Sequence, residues 1–349
     1  MVLTIIISFV ALIGLLIIHE FGHFILAKKF GVKVEEFGVG YPPRLIGKKI
    51  GETIYSINLL PFGAFVRMPG ETEKSEDLHS FSRQPVLNRI LIALAGVVSF
   101  WIVSAVLFSI VFNMGTYVAV SDNNSNLTNP KVQITAIAKD SPAEKAGLKP
   151  GDAILTFTKV KDVQGFAEQY KGKEVVLTIE RGKEVFDVKL TPRENPPSGE
   201  GAMGVGLTRT AFQSYPWYQA PLKGIQATFS MTLAVIRGYG EAVSKLFLRQ
   251  STGVTLTGPV GVFNLFLQAG SMGASYFLQF TGMVAIYIAL FNLLPIPAVD
   301  GGKIVFLLIE AVKRKRMNYK IEQNITAVFF GLLILLMVFI TVKDIMRLL

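Results

Sequence analysis

The stretch MVLTIIISFVALIGLLIIHEFGHFILAKK, residues 1–29, decides how the rest of the chain is read. Up to Ile18 it carries no Asp, Glu, Lys or Arg, enough for one helical crossing of a hydrocarbon core roughly 30 Å thick. His19-Glu20-Phe21-Gly22-His23 follows, and Phe24 to Ala27 is apolar again. Three ionisable groups thus sit inside a longer hydrophobic helix, where they are costly and usually line a polar cavity or functional site. Positions i and i+4 share a helix face, so two imidazoles can bind one ion while the adjacent Glu20 reaches its water as a general base. Zinc hydrolases use this arrangement. HExxH arises by chance in roughly one chain in a hundred of this length, so the setting carries the weight. The competing reading is a set of polar residues that merely marks a helix leaving the membrane. No basic start or small-residue cleavage site accompanies the stretch, which reads as a retained helix and not a signal peptide.

Working outward, 51% of the 349 residues are hydrophobic and only 17% charged, too apolar for an ordinary soluble enzyme. Three further runs without Asp, Glu, Lys or Arg, Ile90 to Ser121, Ser251 to Val299 and Gln323 to Val342, predict three more spans, the third of the four placed at Tyr276 to Leu294. The net charge of +10 would fit nucleic acid if it formed one folded face. Instead, basic residues gather in the segments Phe24 to Arg89 and Lys303 to Lys320. Positive-inside bias puts both segments in the cytoplasm and the termini and Asp122 to Lys223 outside. Nucleic-acid binding is excluded on this ground. Zero cysteines remove thiolate ligands and nucleophiles, leaving His and carboxylate for a metal.

A catalytic zinc commonly has three protein ligands and an open position. Asp300 leads the candidates for the third. It sits in NLLPIPAVDGG (Asn292 to Gly302), where Pro295 and Pro297 interrupt regular helix and Gly301 and Gly302 allow an unusual backbone. The third span runs outside to inside like the first, so Asp300 and His19 arrive at similar depth, near the cytoplasmic leaflet. Asp300 could instead cap the helix containing Lys303 to Val312. Glu310 and His79 are weaker ligand candidates.

The remaining segments divide at turns. Val32 to Met68 alternates short apolar pieces with Gly and Pro and predicts β-hairpins beside the membrane. Lys131 onward reads as a small domain, with strands at Val132 to Ile137, Ala153 to Phe157, Glu174 to Glu180, Val185 to Leu190 and Met203 to Leu207 and a short helix at Pro142 to Ala146. Gln226 to Arg249 predicts an amphipathic surface helix, either a gate for substrate or a packed connector. The expected fold is a polytopic α-helical membrane protein. Its parts are 1–30 (first span), 31–85 (hairpins and cytoplasmic loop), 86–117 (second span), 118–208 (outer domain), 209–275 (surface helix and connector), 276–302 (third span), 303–322 (cytoplasmic) and 323–345 (fourth span).

HEFGH on the first span with NLLPIPAVDGG on the third resembles the site-2 protease family of intramembrane zinc metalloproteases, peptidase family M50, in the part order of the bacterial regulator-of-sigma-E type. FGAFVRMPGE (Phe62 to Glu71) and TGPVGV (Thr257 to Val262) also have counterparts there. The resemblance implies that His19, His23 and Asp300 ligate Zn2+, that Glu20 activates water, and that Asn292 holds substrate or the developing oxyanion. The hairpins, with Gly63 and Phe65, are expected to pair with an unwound substrate stretch. It further implies single-pass membrane substrates already trimmed outside, such as anti-sigma factors or remnant signal peptides, in a bacterial cytoplasmic membrane. Two departures stand out. Where the family often has Gly-Pro-x-x-Asn, this chain has Gly96-Val97-Val98-Ser99-Phe100, so an asparagine role there does not transfer; and Val299 replaces Leu before the aspartate. Ser141-Pro142-Ala143 with Gly147-Leu148-Lys149-Pro150-Gly151-Asp152 resembles a bacterial PDZ domain in a single copy, against the plainer reading of a β-turn in any small domain. Its groove would hold a peptide end or exclude bulky ectodomains. A rival of another class is an inactive membrane PDZ adaptor. A transporter lacks the paired broken helices it would need.

Overall fold

The computed structural model describes residues 2–71, 75–125, 127–182, 184–197, 199–248 and 257–348. In chain order its elements are α1 (Val2–Lys29), β1 (Glu36–Ile50), β2 (Thr53–Arg67), α2 (Val86–Met114), β3 (Thr116–Val120), β4 (Lys131–Ile137), α3 (Pro142–Lys145) and β5 (Ala153–Ile154). Then come α4 (Val160–Gln169), β6 (Val175–Arg181), β7 (Glu184–Leu190), β8 (Val205–Gln213), α5 (Ala220–Phe247), α6 (Pro259–Met272), α7 (Ala274–Asn292), α8 (Asp300–Lys313) and α9 (Tyr319–Leu348). Among the described residues four helices, α1, α2, α7 and α9, are long and apolar enough to cross a membrane. They are the four runs read from the sequence. Two compact units result, one of residues 1–109, 221–267 and 279–349, the other of 110–220 and 268–278.

In the first unit, α1 turns one stripe inward. Leu15, His19, His23 and Ala27 are buried at a spacing of four, the repeat that keeps side chains on one helix face. Gly22 lets that face close on α2: a Cβ there would run into the Ala95 carbonyl, the close approach that small residues permit between membrane helices. Below the histidines, Ala27, Val32, Val34, Met68, Phe81 and Ile92 form a buried cluster joining the end of α1 to the start of α2. The predicted hairpin is present as two 15-residue strands. Glu36–Val39 lies between residues 54–57 on one side and 64–67 on the other, while 44–50 pairs outward with 53–58.

The third span, placed at Tyr276 to Leu294, is the single helix α7, and the helix break expected at Pro295 and Pro297 follows it. α7 ends at Asn292, a turn through Pro295 and Pro297 follows, and α8 begins at Asp300. Gly301 and Gly302 are ordinary helical residues, so the expected unusual backbone is not what they supply. Their role is proximity. A Cβ on Gly301 would strike the Leu293 and Leu294 carbonyls, and one on Gly302 the Ile296 carbonyl. The helix predicted from Gln226 begins earlier, at Ala220, and reaches Phe247; Arg249 lies outside the described residues. α5 packs on α2, where Thr228 Oγ1 is 3.5 Å from Ser104 Oγ.

The second unit holds a six-stranded antiparallel sheet in the order β3-β8-β4-β5-β6-β7. Val175, Leu177 and Ile179 of β6 point alternately into a core shared with Val132, Ile134 and Ile154. Ser141 caps α3, its hydroxyl accepting from Glu144 N. The expected strand at Ala153 to Phe157 is only two residues long, and β3 and α4 add elements that the sequence reading lacked.

Candidate metal centre

α1 contributes two imidazoles and α8 one carboxylate. His19 Nε2 and His23 Nε2 are 3.3 Å apart, and Asp300 Oδ2 lies 3.3 Å from the first and 3.6 Å from the second. Zinc bonds of roughly 2.0–2.1 Å at tetrahedral angles put ligand atoms about 3.4 Å apart. The three atoms therefore span one face of such a site.

The hydrogen bonds point the same way. His23 Nδ1 is 2.7 Å from the Ile92 carbonyl, an acceptor only, so that nitrogen carries the proton and Nε2 presents a lone pair. Metal-ligating histidines are usually oriented in this manner. Asp300 Oδ2 is buried and, among the described residues, makes no hydrogen bond. Two imidazole nitrogens and an acceptor-only oxygen closing on one point, 10% and 20% exposed in their side chains, suit a cation.

Asp300 does not cap its helix through its side chain. It is the first residue of α8, the N-cap position is Val299, and its carboxylate is turned to the histidines. α8 is held along its length. Lys303 pairs with Glu71 and lies over the Phe81 ring at 4.4 Å. Further on, Glu310 accepts a two-pronged contact from Arg89, at 3.1 and 2.5 Å. Glu310 is thus committed to Arg89, and His79 is 72% exposed beside Asp77, so neither weaker candidate joins the cluster.

Glu20, adjacent to His19, lies within electrostatic reach of His19, His23 and Asp300. Asn292 donates its amide to the Ile288 carbonyl of its own helix at 3.1 Å, and among the described residues no hydrogen bond joins it to the cluster. Gly63, at φ +106°, accommodates the Tyr41 ring, and the Phe65 ring lies over Gly38 and stacks near-parallel with Tyr41. Sequence reasoning missed the α2 groups around the histidines, Ile92, Gly96 and Phe100. Their four-residue spacing was a signal, but none of the three carries a polar side chain to attract attention.

Fold and site together define a membrane protein with a two-histidine, one-carboxylate cluster that could hold a metal ion, the arrangement of a membrane metallohydrolase. The family model of peptidase family M50 matches residues 7–336, and the chain belongs to that family. A protein of Clostridium perfringens named as a zinc metalloprotease is 33% identical, with 98% of each chain covered. The regulator of sigma-W protease RasP of Bacillus subtilis is 26% identical and the regulator of sigma E protease of Haemophilus influenzae 27%, again with 98% of each chain covered. The chain is a zinc metalloprotease of the membrane.

Proposed function

We propose that this protein is an intramembrane endopeptidase that hydrolyses a peptide bond in or beside the transmembrane segment of a single-pass protein. One observation carries the reading: the 3.3, 3.3 and 3.6 Å triangle of His19, His23 and Asp300 on helices predicted to lie at membrane depth. These three residues hold zinc. When bound, the metal supplies a Lewis acid that polarises the scissile carbonyl and acidifies water. Glu20 takes a proton from the attacking water and returns it to the departing amide nitrogen. The Ile92 carbonyl keeps the His23 proton on Nδ1 throughout.

A helical substrate has its carbonyls bonded internally, so it must unwind before attack. Ala64–Arg67, which carries Phe65 and follows Gly63, pairs on one side only among the described residues. Its open edge suits strand addition by the unwound stretch. Asn292, freed from Ile288, would serve the same stretch.

Charge bias supports both termini and the sheet of the second unit outside and the site near the inner leaflet of a bacterial cytoplasmic membrane. Ser141-Pro142-Ala143 and the Gly147 to Asp152 turn support a single PDZ-like domain there. RasP and the sigma E protease align over 431 and 441 positions, more than the 349 residues here, in keeping with extra residues within those relatives. Their names tie those relatives to the regulation of sigma factors, which supports anti-sigma factors as substrates; pre-cleavage outside, and remnant signal peptides as the second class, belong to the same proposal.

Purified wild type and Glu20→Gln, assayed for zinc and for cleavage of a transmembrane peptide, test the reading. Equal zinc with cleavage lost only in the variant is expected. No zinc in either protein would favour an inactive adaptor. Phe65→Pro, with zinc retained and cleavage abolished, tests the strand; unchanged turnover would sink that part alone.

A further inference from the structure

One face of α2 is moulded to the two imidazoles. Ile92, Gly96 and Phe100 are four residues apart and so stack along a single stripe. Ile92 gives its carbonyl to His23 Nδ1. Gly96 gives room: a Cβ there would overlap the rings of both His23 and His19. Phe100, with no exposed surface, lies face to face with His19, centroids 4.9 Å apart and planes 19° from parallel.

The two histidines are therefore oriented by different means. His23 has a hydrogen-bond acceptor on its outer nitrogen, whereas His19 Nδ1 is buried and, among the described residues, has no hydrogen-bond partner. An imidazole without such a bond has a broad torsion about its Cβ–Cγ axis. Something else must keep Nε2 aimed at Asp300.

We infer that Phe100 is the positioning residue of His19 and sets the zinc affinity of the site, its ring face replacing the missing hydrogen bond. The inference rests on the proposed ligand role of His19. A flat aromatic wall on one side and the Gly96 gap at the ring edge leave the imidazole a narrow slot. The ring also favours the loaded state. A metal-bound imidazole carries part of the ion's charge, and an aromatic face attracts cationic groups. This gives the departure Gly96-Val97-Val98-Ser99-Phe100 a use: this chain grips its ligand by a face.

The test is zinc affinity of the full-length protein in detergent, by competition with a chromophoric chelator, for wild type, Phe100→Leu and His19→Ala. Loss of an outer-shell partner costs about 10–100-fold in metal affinity, so Phe100→Leu should bind at least tenfold more weakly, while the metal-free protein still unfolds cooperatively, its unfolding temperature lowered only as trimming any buried ring lowers it. The cobalt-substituted variant should show shifted or broadened visible bands. Wild-type affinity and cobalt spectrum in Phe100→Leu would overturn the inference. Should Phe100→Leu fail to fold, Phe100→Met makes the same comparison. His19→Ala separates the layers: if it binds zinc as wild type does, the ligand assignment itself falls, whereas a metal-free His19→Ala beside an unaffected Phe100→Leu removes only the role of Phe100.

Discussion

Glycines around the centre show how little at the residue scale depends on special dihedrals. Gly301 is helical, yet its missing side chain faces the Leu293 and Leu294 carbonyls, which belong to backbone and cannot swing aside. Gly301→Ala must push the first turn of α8 away, and Asp300 moves with it. The expected result is a folded protein with strongly reduced zinc content, measured by metal analysis after purification in detergent. Gly14→Ala is the control: it lies in α1 with nothing within 4 Å of the added carbon, and alanine is the better helix former by about 1 kcal/mol. It should keep full metal. The clustered candidates His19, His23 and Asp300 were legible in the sequence because HExxH and a lone aspartate after two prolines are rare inside apolar runs. The reason for Gly301 was not, since close approach depends on a partner that the sequence does not name. Phe100 was invisible for the same reason, an apolar residue among apolar residues.

Elements were legible where their signals lie within themselves. Four apolar runs gave four helices, and Ser141-Pro142 gave the start of α3. β3 was hidden because Thr116–Val120 continues the apolar character of α2, from which it is divided only by Gly115 at φ +88°. α4 was hidden because its cap is remote. Its N-cap position is Lys159, which offers no side-chain cap, and the free N–H groups of Val160 and Lys161 are met by Asp122 at 3.1 and 3.0 Å. Asp122→Ala should cost α4 about 1 kcal/mol, seen as faster amide exchange in residues 160–169 than in the core strands. The pH dependence follows. Burial alone would raise the Asp122 carboxyl, but bonds from Lys161 and Val160 and the nearby Arg209 charge outweigh it and hold the group below the usual carboxylate range. A lowered folded value makes the cap fully effective above about pH 4 and lost as pH falls through that lower value. α4 should therefore keep its protection from neutral pH to about 4 and lose it only below, and Asp122→Asn should remove that acid step.

At the scale of the whole chain, sequence order misleads in two places. Residues 268–278, at the junction of α6 and α7, belong with the sheet unit and not with the helices on either side, and Ser275 donates to the Gly115 carbonyl there. α9 begins at the end of the basic segment, yet its far end is tied to a motif some 80 residues earlier. Asp344 is 4% exposed, and one of its oxygens accepts from Gly258 N at 2.8 Å and Gly261 N at 2.9 Å, at the start of α6. A carboxylate there also meets the positive end of the helix dipole. Most of α9 is otherwise exposed apolar surface suited to lipid, so this contact has few rivals in holding it. The TGPVGV motif thus serves as a socket: Gly258 and Gly261 lack side chains that would meet Ile340 and Asp344. Asp344→Ala leaves two N–H groups without their acceptor, a loss of about 1–3 kcal/mol for each buried group left unpaired. Thermal unfolding in detergent should shift down. Asp344→Asn, which keeps one oxygen acceptor but not the charge, should recover part of the shift, while zinc content stays at the wild-type level in both because the metal centre draws on neither α6 nor α9. An Asp344→Ala protein as stable as wild type would show that this contact does not hold α9.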